Sequence, residues 1–262
     1  MKILDRFRLD EKKVLITGGG QGLGKAYAQA LAEAGADVAI VDINEDTAKE
    51  VAKEVSRLGG RSLSIRADVR LKSDAYAMVE EVVSRWGRLD IAINNAGLSE
   101  IVEAINISES NWDSIMGLDL KGTFFCAQAE ARSMMRNKYG KIINISSIAA
   151  HMAYFCNNVV PQFQIAYSVA KAGVVHLTRC LAAEWAKYGI RVNCISPGFV
   201  CTPAVMEKRF ETIRSKWVEY TPLGKLGQVE DLQGAVIYLS SEVSDFMTGC
   251  DLVIDGGFLT MK

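Results

Sequence analysis

The chain has 262 residues, of which 49% are apolar and 23% are charged, and its formal net charge is −1. This composition is typical of a globular protein and excludes a disordered or fibrous chain. Because the charge is near zero and no basic run is present, nothing attracts nucleic acid or an anionic membrane, and we expect a small, neutral partner.

The start of the chain, MKILDRFRLDEKK, is charged throughout, whereas a signal peptide needs an apolar block. No run approaches the ~18 apolar residues that a membrane span requires. We therefore expect a cytoplasmic protein that does not cross a membrane.

Short runs rich in β-branched residues predict seven strands, at residues 13–17, 37–42, 62–65, 89–95, 141–146, 191–196 and 251–255. Amphipathic stretches between them predict helices, the first from Gly22 to Gly35, a residue suited to a left-handed cap. Strands that alternate with helices, several apolar at consecutive positions, predict an α/β fold with helices on both faces of a parallel sheet. Because no linker, repeat or low-complexity tract divides the chain, we expect one domain over residues 1–262.

A glycine cluster follows the first predicted strand directly, in the segment VLITGGGQGLGKA. Gly18 suits a tight turn, Gly22 lets the backbone approach a pyrophosphate, and Gly24 permits close packing of helix on strand. Free amide groups at the start of the helix attract the anion. The sequence therefore predicts a dinucleotide-binding loop, and a plain strand-to-helix turn is the alternative.

The second predicted strand ends in Asp42, eighteen residues after Gly24. This spacing is close to the ~20 residues expected of an acid that binds a ribose 2′-hydroxyl. A 2′-phosphate there would be repelled by the carboxylate, and neither residues 19–21 nor residues 43–44 offer a compensating cation. We therefore expect NAD rather than NADP, with a helix cap as the alternative role for Asp42.

Tyr167 and Lys171 lie four residues apart in the segment QIAYSVAKAG and so share one face of a predicted helix. Ala166, Ala170 and Ala172 are expected to leave that face open. A phenol with a pKa of ~10 is a poor base at neutral pH, but a positive charge ~4 Å away at a dielectric of ~20 is worth ~4 kcal/mol. We therefore predict that Lys171 lowers the pKa of Tyr167 and makes it a proton acceptor for an alcohol that loses a hydride. Taken alone, the pair is common, and packing would explain it.

Six motifs accompany this pair along nearly the whole chain: TGGGQGLG (17–24), NNAG (94–97), INISS (143–147), AYSVAK (166–171), SPGFVCTP (196–203) and IDGG (254–257). In content, order and separation they resemble the classical short-chain dehydrogenase/reductase family. The resemblance implies a Rossmann-type, doubly wound, seven-stranded parallel sheet and a homotetramer or homodimer.

The resemblance also implies roles at the matching positions. Ser147 would hold the substrate oxygen, Tyr167 would be the acid/base, and Lys171 would bind the nicotinamide ribose. The family's NLKG segment reads DLKG here, so Asp119 stands where an asparagine is usual. Our hypothesis is that Asp119 still serves the proton relay, although its charge could counteract Lys171. The expected cofactor contacts are Gly18, Gln21, Gly22, Leu23, Gly24, Asp42, Ile43, Asp68, Val69, Asn95, Ala96, Gly97, Tyr167, Lys171, Pro197, Gly198, Val200 and Thr202.

Two further segments are expected to shape the substrate site. The stretch between Ser147 and Tyr167 is longer than is usual in the family and should follow the fifth strand at the ligand-binding edge of the sheet. There, His151, Asn157 and Asn158 could bind hydroxyl groups, whereas Met152, Tyr154 and Phe155 would suit an apolar substrate. Residues 204–220 predict a helical lid with one apolar face, formed by Met206, Phe210, Ile213 and Trp217. Surface decoration and simple packing are the alternatives.

The segment PQFQIAY (161–167) resembles members of the family that act on polyols and ketoses. We therefore expect an NAD-dependent oxidoreductase that interconverts a secondary alcohol and a ketone in a sugar alcohol, a ketose or a similar compound. A 3-oxoacyl-thioester reductase and a hydroxysteroid or hydroxy acid dehydrogenase are alternatives within this class. An NAD-binding sensor or scaffold is the alternative outside it, and a hydrolase is excluded because no GxSxG motif is present.

The six cysteines show no CxxC spacing, so we expect reduced thiols that pack in the core. The two histidines, His151 and His176, lack a second ligand at a metal-binding spacing. We expect each to be packed or hydrogen-bonded, and we expect no metal site.

Overall fold

The computed structural model describes residues 2–153 and 164–261. Its strands are β1 Lys13–Thr17, β2 Asp37–Asp42, β3 Ser62–Arg66, β4 Ile91–Asn94, β5 Gly140–Ile145, β6 Ile190–Pro197 and β7 Asp251–Ile254. They form one parallel sheet in the order β3-β2-β1-β4-β5-β6-β7. The order reverses between β1 and β4, where open α/β sheets bind their ligands. The predicted Rossmann-type sheet is therefore confirmed.

Helices cover both faces of this sheet. In the described ranges they are α1 Gly22–Glu33, α2 Glu45–Arg57, α3 Lys72–Trp86, α4 Glu109–Ile115, α5 Thr123–Asn137, α6 Ile165–Trp185, α7 Glu211–Tyr220 and α8 Glu230–Ser240. Alternate residues of β1 enter two separate cores, because successive side chains of a strand point to opposite faces. Val14 and Ile16 pack with α1, α2 and α8, whereas Leu15 packs with α3, α5 and α6. The chain is therefore apolar on both sides of the sheet.

The first helix begins at the predicted residue, Gly22. Its last α-helical residue is Glu33, and Gly35 follows with a φ of 105°, a conformation that glycine adopts without strain. None of the helices among the described residues combines the length and apolarity of a membrane span.

A carboxylic acid lies buried between α5 and the sheet. Glu130 is fully buried, and Asn94 Nδ2 donates to its Oε2 over 3.1 Å. Among the described residues, no donor reaches Glu130 Oε1 or Asn94 Oδ1. Burial raises the pKa of Glu130 to about 8, and the hydrogen bond from Asn94 opposes this only in part. We therefore expect Glu130 to be uncharged at neutral pH.

We predict that Glu130→Gln stabilises the protein at alkaline pH. An unfolded glutamate titrates near ~4.3, so between that pH and about 8 the folded state holds a proton that the unfolded state has lost. The stabilisation is therefore complete at acidic pH, falls as the pH rises through this window, and is lost above the folded pKa. Glutamine stays neutral, so this contribution should not change with pH.

Thermal unfolding of both proteins at about pH 5 and about pH 9 measures the effect. The melting temperature of the wild type should drop more between the two values than that of Glu130→Gln. Glu130→Ala, which leaves a cavity, should lower the melting temperature at both. Parallel pH dependences of wild type and Glu130→Gln would contradict a neutral acid at this position.

Candidate active site

A cavity of about 620 Å³ opens at the carboxyl ends of the central strands. Its lining includes most of the residues expected from the sequence: Gly18, Gln21, Gly22, Leu23, Asp42, Ile43, Asp68, Val69, Asn95, Ala96, Gly97, Ser147, Tyr167, Lys171, Pro197, Gly198, Val200 and Thr202. Gly24 and Asp119 do not line it. The fold therefore brings together motifs that are far apart in the sequence.

The glycine-rich loop has the geometry of an anion cradle. Gly18 and Gly22 have φ values of 61° and 55°, in the left-handed region that favours glycine. A Cβ on Gly24 would lie 2.1 Å from the carbonyl oxygen of Gly18, so Gly24 serves close packing below the cavity. Asn95 Nδ2 donates to the carbonyl oxygens of Thr17 and Gly18 over 3.1 and 3.0 Å, which ties the loop to β4. The residues present therefore fit a bound pyrophosphate.

Asp42 is held rigidly at the end of β2. Its Oδ2 accepts from the backbone of Gly20, and its Oδ1 accepts from the backbone of Asn44, each over 3.0 Å. Arg70 also lines the cavity and pairs with Asp68 over 2.5 Å. The sequence does not point to Arg70 as a cation near Asp42, because Arg70 lies far from both the glycine-rich loop and the residues that directly follow Asp42.

Tyr167 and Lys171 share a face of α6, as predicted. The Nζ atom of Lys171 lies 5.4 Å from the centre of the Tyr167 ring, and Ser147 lines the same cavity close to Tyr167. That the neighbouring alanines keep this face open stays a prediction. Ala166 and Ala170 are buried with Ile115 in a small cluster against which Tyr167 packs, and Ala172 is exposed.

Lys171 is buried beside a carboxylate. Its Nζ donates to the carbonyl oxygen of Ile145 over 3.0 Å and lies 3.2 Å from Asp119 Oδ2. Asp119 is fully buried on a π-helical turn, Met116–Gly122, and its Oδ1 accepts from the backbone of Leu98 over 2.8 Å. A Cβ on Gly97 would come within 3.2 Å of both charged groups. Lys171 therefore lines the cavity, with Asp119 directly behind it.

The ion pair changes the acidity of its neighbours. Burial raises the pKa of Asp119, and Lys171 lowers it only in part. Burial opposes the charge of Lys171, but Asp119 and Tyr167 outweigh this effect and raise the pKa of Lys171 above its ordinary value. Lys171 therefore stays protonated at neutral pH.

The pKa of Tyr167 moves in the direction opposite to the prediction. Burial raises this pKa, Lys171 lowers it as expected, Asp119 raises it, and the nearby Ser147 hydroxyl lowers it. The net direction is upward, because burial and the charge of Asp119 outweigh Lys171. The prediction from the sequence rests on the charge of Lys171 alone and omits the burial of the Tyr167 hydroxyl.

Residues 204–220 are only partly helical. A 3-10 turn, Lys208–Phe210, precedes α7. Phe210, Ile213 and Trp217 are buried together, and the Trp217 ring stacks on Phe199 with 4.4 Å between centroids. Met206 is 53% exposed and does not share their face, because it precedes the helix. Closure of this segment over substrate stays a prediction.

Four of the side chains proposed around the substrate lie outside the described residues: Tyr154, Phe155, Asn157 and Asn158. Met152 packs against the cluster of Trp217.

The surroundings of the histidines and cysteines match the expectations only in part. His151 Nε2 lies 2.6 Å from Asp251 Oδ2, so His151 is hydrogen-bonded as expected, whereas His176 is exposed. The described cysteines are free thiols: Cys126 and Cys194 are buried as expected, Cys201 and Cys250 are half-buried, and Cys180 is exposed. Within the described ranges, no group of three or more His, Cys, Asp or Glu side chains is placed to hold a metal ion.

A doubly wound sheet with a glycine-rich loop and a clustered Ser, Tyr and Lys defines a class of dinucleotide-binding oxidoreductases. A family model described as "Enoyl-(Acyl carrier protein) reductase" matches residues 18–259. The 2-dehydro-3-deoxy-D-gluconate 5-dehydrogenase of Dickeya dadantii is 41% identical over 98% of this chain and 99% of its own length. The galactitol 2-dehydrogenase of Rhizobium johnstonii is 36% identical over the same shares of the two chains.

A solved structure is similar over the same extent. The crystal structure of a gluconate 5-dehydrogenase from Burkholderia cenocepacia in complex with NADP and tartrate superposes with a TM-score of 0.91. The two sequences are 36% identical, and the match covers 99% of each chain. This chain belongs to the short-chain dehydrogenase/reductase family, whose members use a nicotinamide dinucleotide, and it is an oxidoreductase that acts on hydroxy compounds.

Proposed function

We propose that this protein interconverts a secondary alcohol and a ketone in a sugar alcohol, a ketose or a similar small hydroxy compound, with NAD as cofactor. The observation that carries the proposal is the cluster at one end of the cavity. There, Tyr167 lies close to Ser147 and beside the protonated Lys171. Asp42 lies in the same cavity, next to the glycine loop.

Each residue of this cluster has a separate role in the reaction. NAD, when bound, supplies the acceptor for the hydride that leaves the alcohol carbon. Ser147 holds the substrate oxygen next to the Tyr167 hydroxyl. Tyr167 takes the hydroxyl proton during oxidation and returns it to the carbonyl oxygen during reduction. Lys171 stabilises the phenolate electrostatically, which lowers the energy of the form of Tyr167 that accepts the proton.

The charges around the cavity favour a neutral substrate over a sugar acid. Among the described residues, the cations that line the cavity are Lys171 and Arg70. Lys171 is paired with Asp119, and Arg70 is paired with Asp68. A substrate carboxylate would therefore meet no unpaired cation there, and burying it without a partner would be costly. Two of the similar proteins carry names of sugar acid dehydrogenases and one that of a polyol dehydrogenase, so both substrate classes need to be assayed.

The proposal is tested by following the absorbance of the reduced nicotinamide. Neutral polyols, ketoses and sugar acids are each offered with NAD and, in parallel, with NADP. We expect turnover of a neutral polyol or ketose with NAD and slower turnover of sugar acids. Cofactor binding without turnover of any compound would favour a sensor or scaffold. Faster turnover of sugar acids would overturn the substrate class.

The expected preference for NAD rests on Asp42. Asp42→Ala should raise the ratio of kcat/KM for NADP to that for NAD about tenfold or more, because the variant removes the repulsion of a 2′-phosphate. Asp46→Ala removes an equal charge from an exposed position on α2 and should leave the ratio unchanged. A wild type that prefers NADP, or a ratio that Asp42→Ala does not move, would contradict this role for Asp42.

Assembly as a homotetramer or homodimer stays a prediction, and analytical ultracentrifugation would test it.

A further inference from the structure

A buried carboxylate on β7 gathers donors from two directions. The side chain of Asp251 is 7% exposed, and His151 Nε2 lies 2.6 Å from its Oδ2. Ser196 Oγ donates to Oδ1 over 2.7 Å, and Cys194 Sγ lies 3.2 Å from the same oxygen. Because Ser196 and Cys194 belong to the neighbouring strand β6, the Asp251 carboxylate is held in place against β6. None of these four side chains is among the described lining of the cavity.

His151 closes the short turn that begins at Ser147. The turn is the 3-10 segment Ile148–Ala150. Ser147 Oγ accepts from the backbone of Ala149 over 3.1 Å, and the backbone of His151 donates to Ile148 over 3.0 Å. The residue before the turn, Ser146, donates its backbone N–H to Ile195 on β6 over 2.8 Å. The turn is therefore anchored at both ends, through the backbone before Ser147 and through the imidazole after it.

We infer that His151 and Asp251 are positioning residues for Ser147. By tying the far end of the turn to β7, they keep the Ser147 hydroxyl within reach of Tyr167, although neither side chain touches the reacting atoms. A displacement of about 1 Å at such a hydroxyl is enough to slow a reaction substantially. The importance of this contact for turnover rests on the proposed function, whereas the anchoring of the turn does not.

The imidazole can hold Asp251 in two protonation states. A neutral histidine with its proton on Nε2 donates to the carboxylate, and an imidazolium does the same. Asp251 Oδ2 can therefore accept from His151 Nε2 in either form.

The test compares His151→Leu, which removes the donor, with His151→Gln, whose amide nitrogen can replace Nε2. His176→Leu is the matched control, because His176 is the other histidine of the chain and is exposed on α6. Hydrogen exchange of the amides of residues 148–151 reports the anchoring directly. Turnover and cofactor affinity are measured on the same variants, with the compound that the wild type turns over fastest.

We expect exchange in this turn to accelerate about tenfold or more in His151→Leu. We also expect kcat to fall about tenfold or more, with an unchanged dissociation constant for NADH. His151→Gln should recover most of both losses, and His176→Leu should behave as wild type. If His151→Leu does not fold, His151→Ala serves the same purpose, since it removes the donor and leaves Asp251 and its contact with Ser196 in place.

Unchanged exchange in His151→Leu would overturn the anchor. An equal loss of turnover and NADH affinity, not recovered by His151→Gln, would show general destabilisation and would overturn the positioning role. A wild type without any turnover would instead contradict the proposed function, and the exchange measurement would still decide whether the anchor exists.

Discussion

Tyr167→Phe should reduce kcat by about 10²- to 10⁴-fold, the range expected when a general acid/base is removed. The variant loses only the hydroxyl, because phenylalanine keeps the ring beside Lys171 and its contacts with the cluster around Ile115. Proton transfer to and from the substrate oxygen then has no partner at this position, whereas the cofactor cavity is unchanged. Steady-state kinetics and a binding titration with NADH separate the two effects.

Tyr238→Phe is the control for this experiment, since it makes the same chemical change on α8, in the core on the far side of the glycine loop. It should leave kcat near that of the wild type. Residual turnover close to the wild-type value in Tyr167→Phe would mean that another group transfers the proton, and the proposed mechanism would fail.

Asp119→Asn should move the pH profile of alcohol oxidation to lower pH by roughly one unit. The carboxylate of Asp119 raises the pKa of both Tyr167 and Lys171. Without that negative charge, Lys171 acts on Tyr167 uncompensated, so the phenolate forms at lower pH and activity rises earlier. The side-chain oxygen of asparagine can still accept from the backbone of Leu98, which keeps the turn in place. The measurement is kcat against pH for both proteins.

Lys171→Met provides the opposite change and should move the rise in activity to higher pH while weakening cofactor binding. Asp113→Asn, an exposed position on α4, is the matched control and should leave the profile in place. Identical profiles for Asp119→Asn and wild type would contradict the electrostatic role of Asp119. A loss of turnover at every pH would mean that the carboxylate itself takes part in the reaction.

Much of this architecture could be predicted from the sequence because it depends on local patterns. The β-branched runs and the spacing of Gly18, Gly22 and Gly24 place strands and a phosphate loop without knowledge of the rest of the fold. The parallel sheet then brings the carboxyl ends of the strands to one edge, so motifs that follow strands must meet there.

What could not be predicted depends on contacts between distant residues. The contact between His151 and Asp251 joins positions one hundred residues apart, and no local sequence pattern predicts it. The pKa of Tyr167 depends on how deeply α6 is buried and on how close Asp119 comes to Lys171. Helical periodicity places Met206 on the face of Trp217, but α7 begins only at Glu211, and no local pattern marks that start.

The π-helical turn Met116–Gly122 joins α4 to α5 without a break. A π-turn holds one more residue than an α-helical turn, and Asp119 lies within it, so deleting one residue there would shift Asp119 relative to Lys171. The same connection leads from Ile115, which packs against Ala166 and Ala170, to Asp119 beside Lys171. The number of residues in this connection is therefore fixed from both sides, and insertions or deletions should be tolerated far less here than in the surrounding helices.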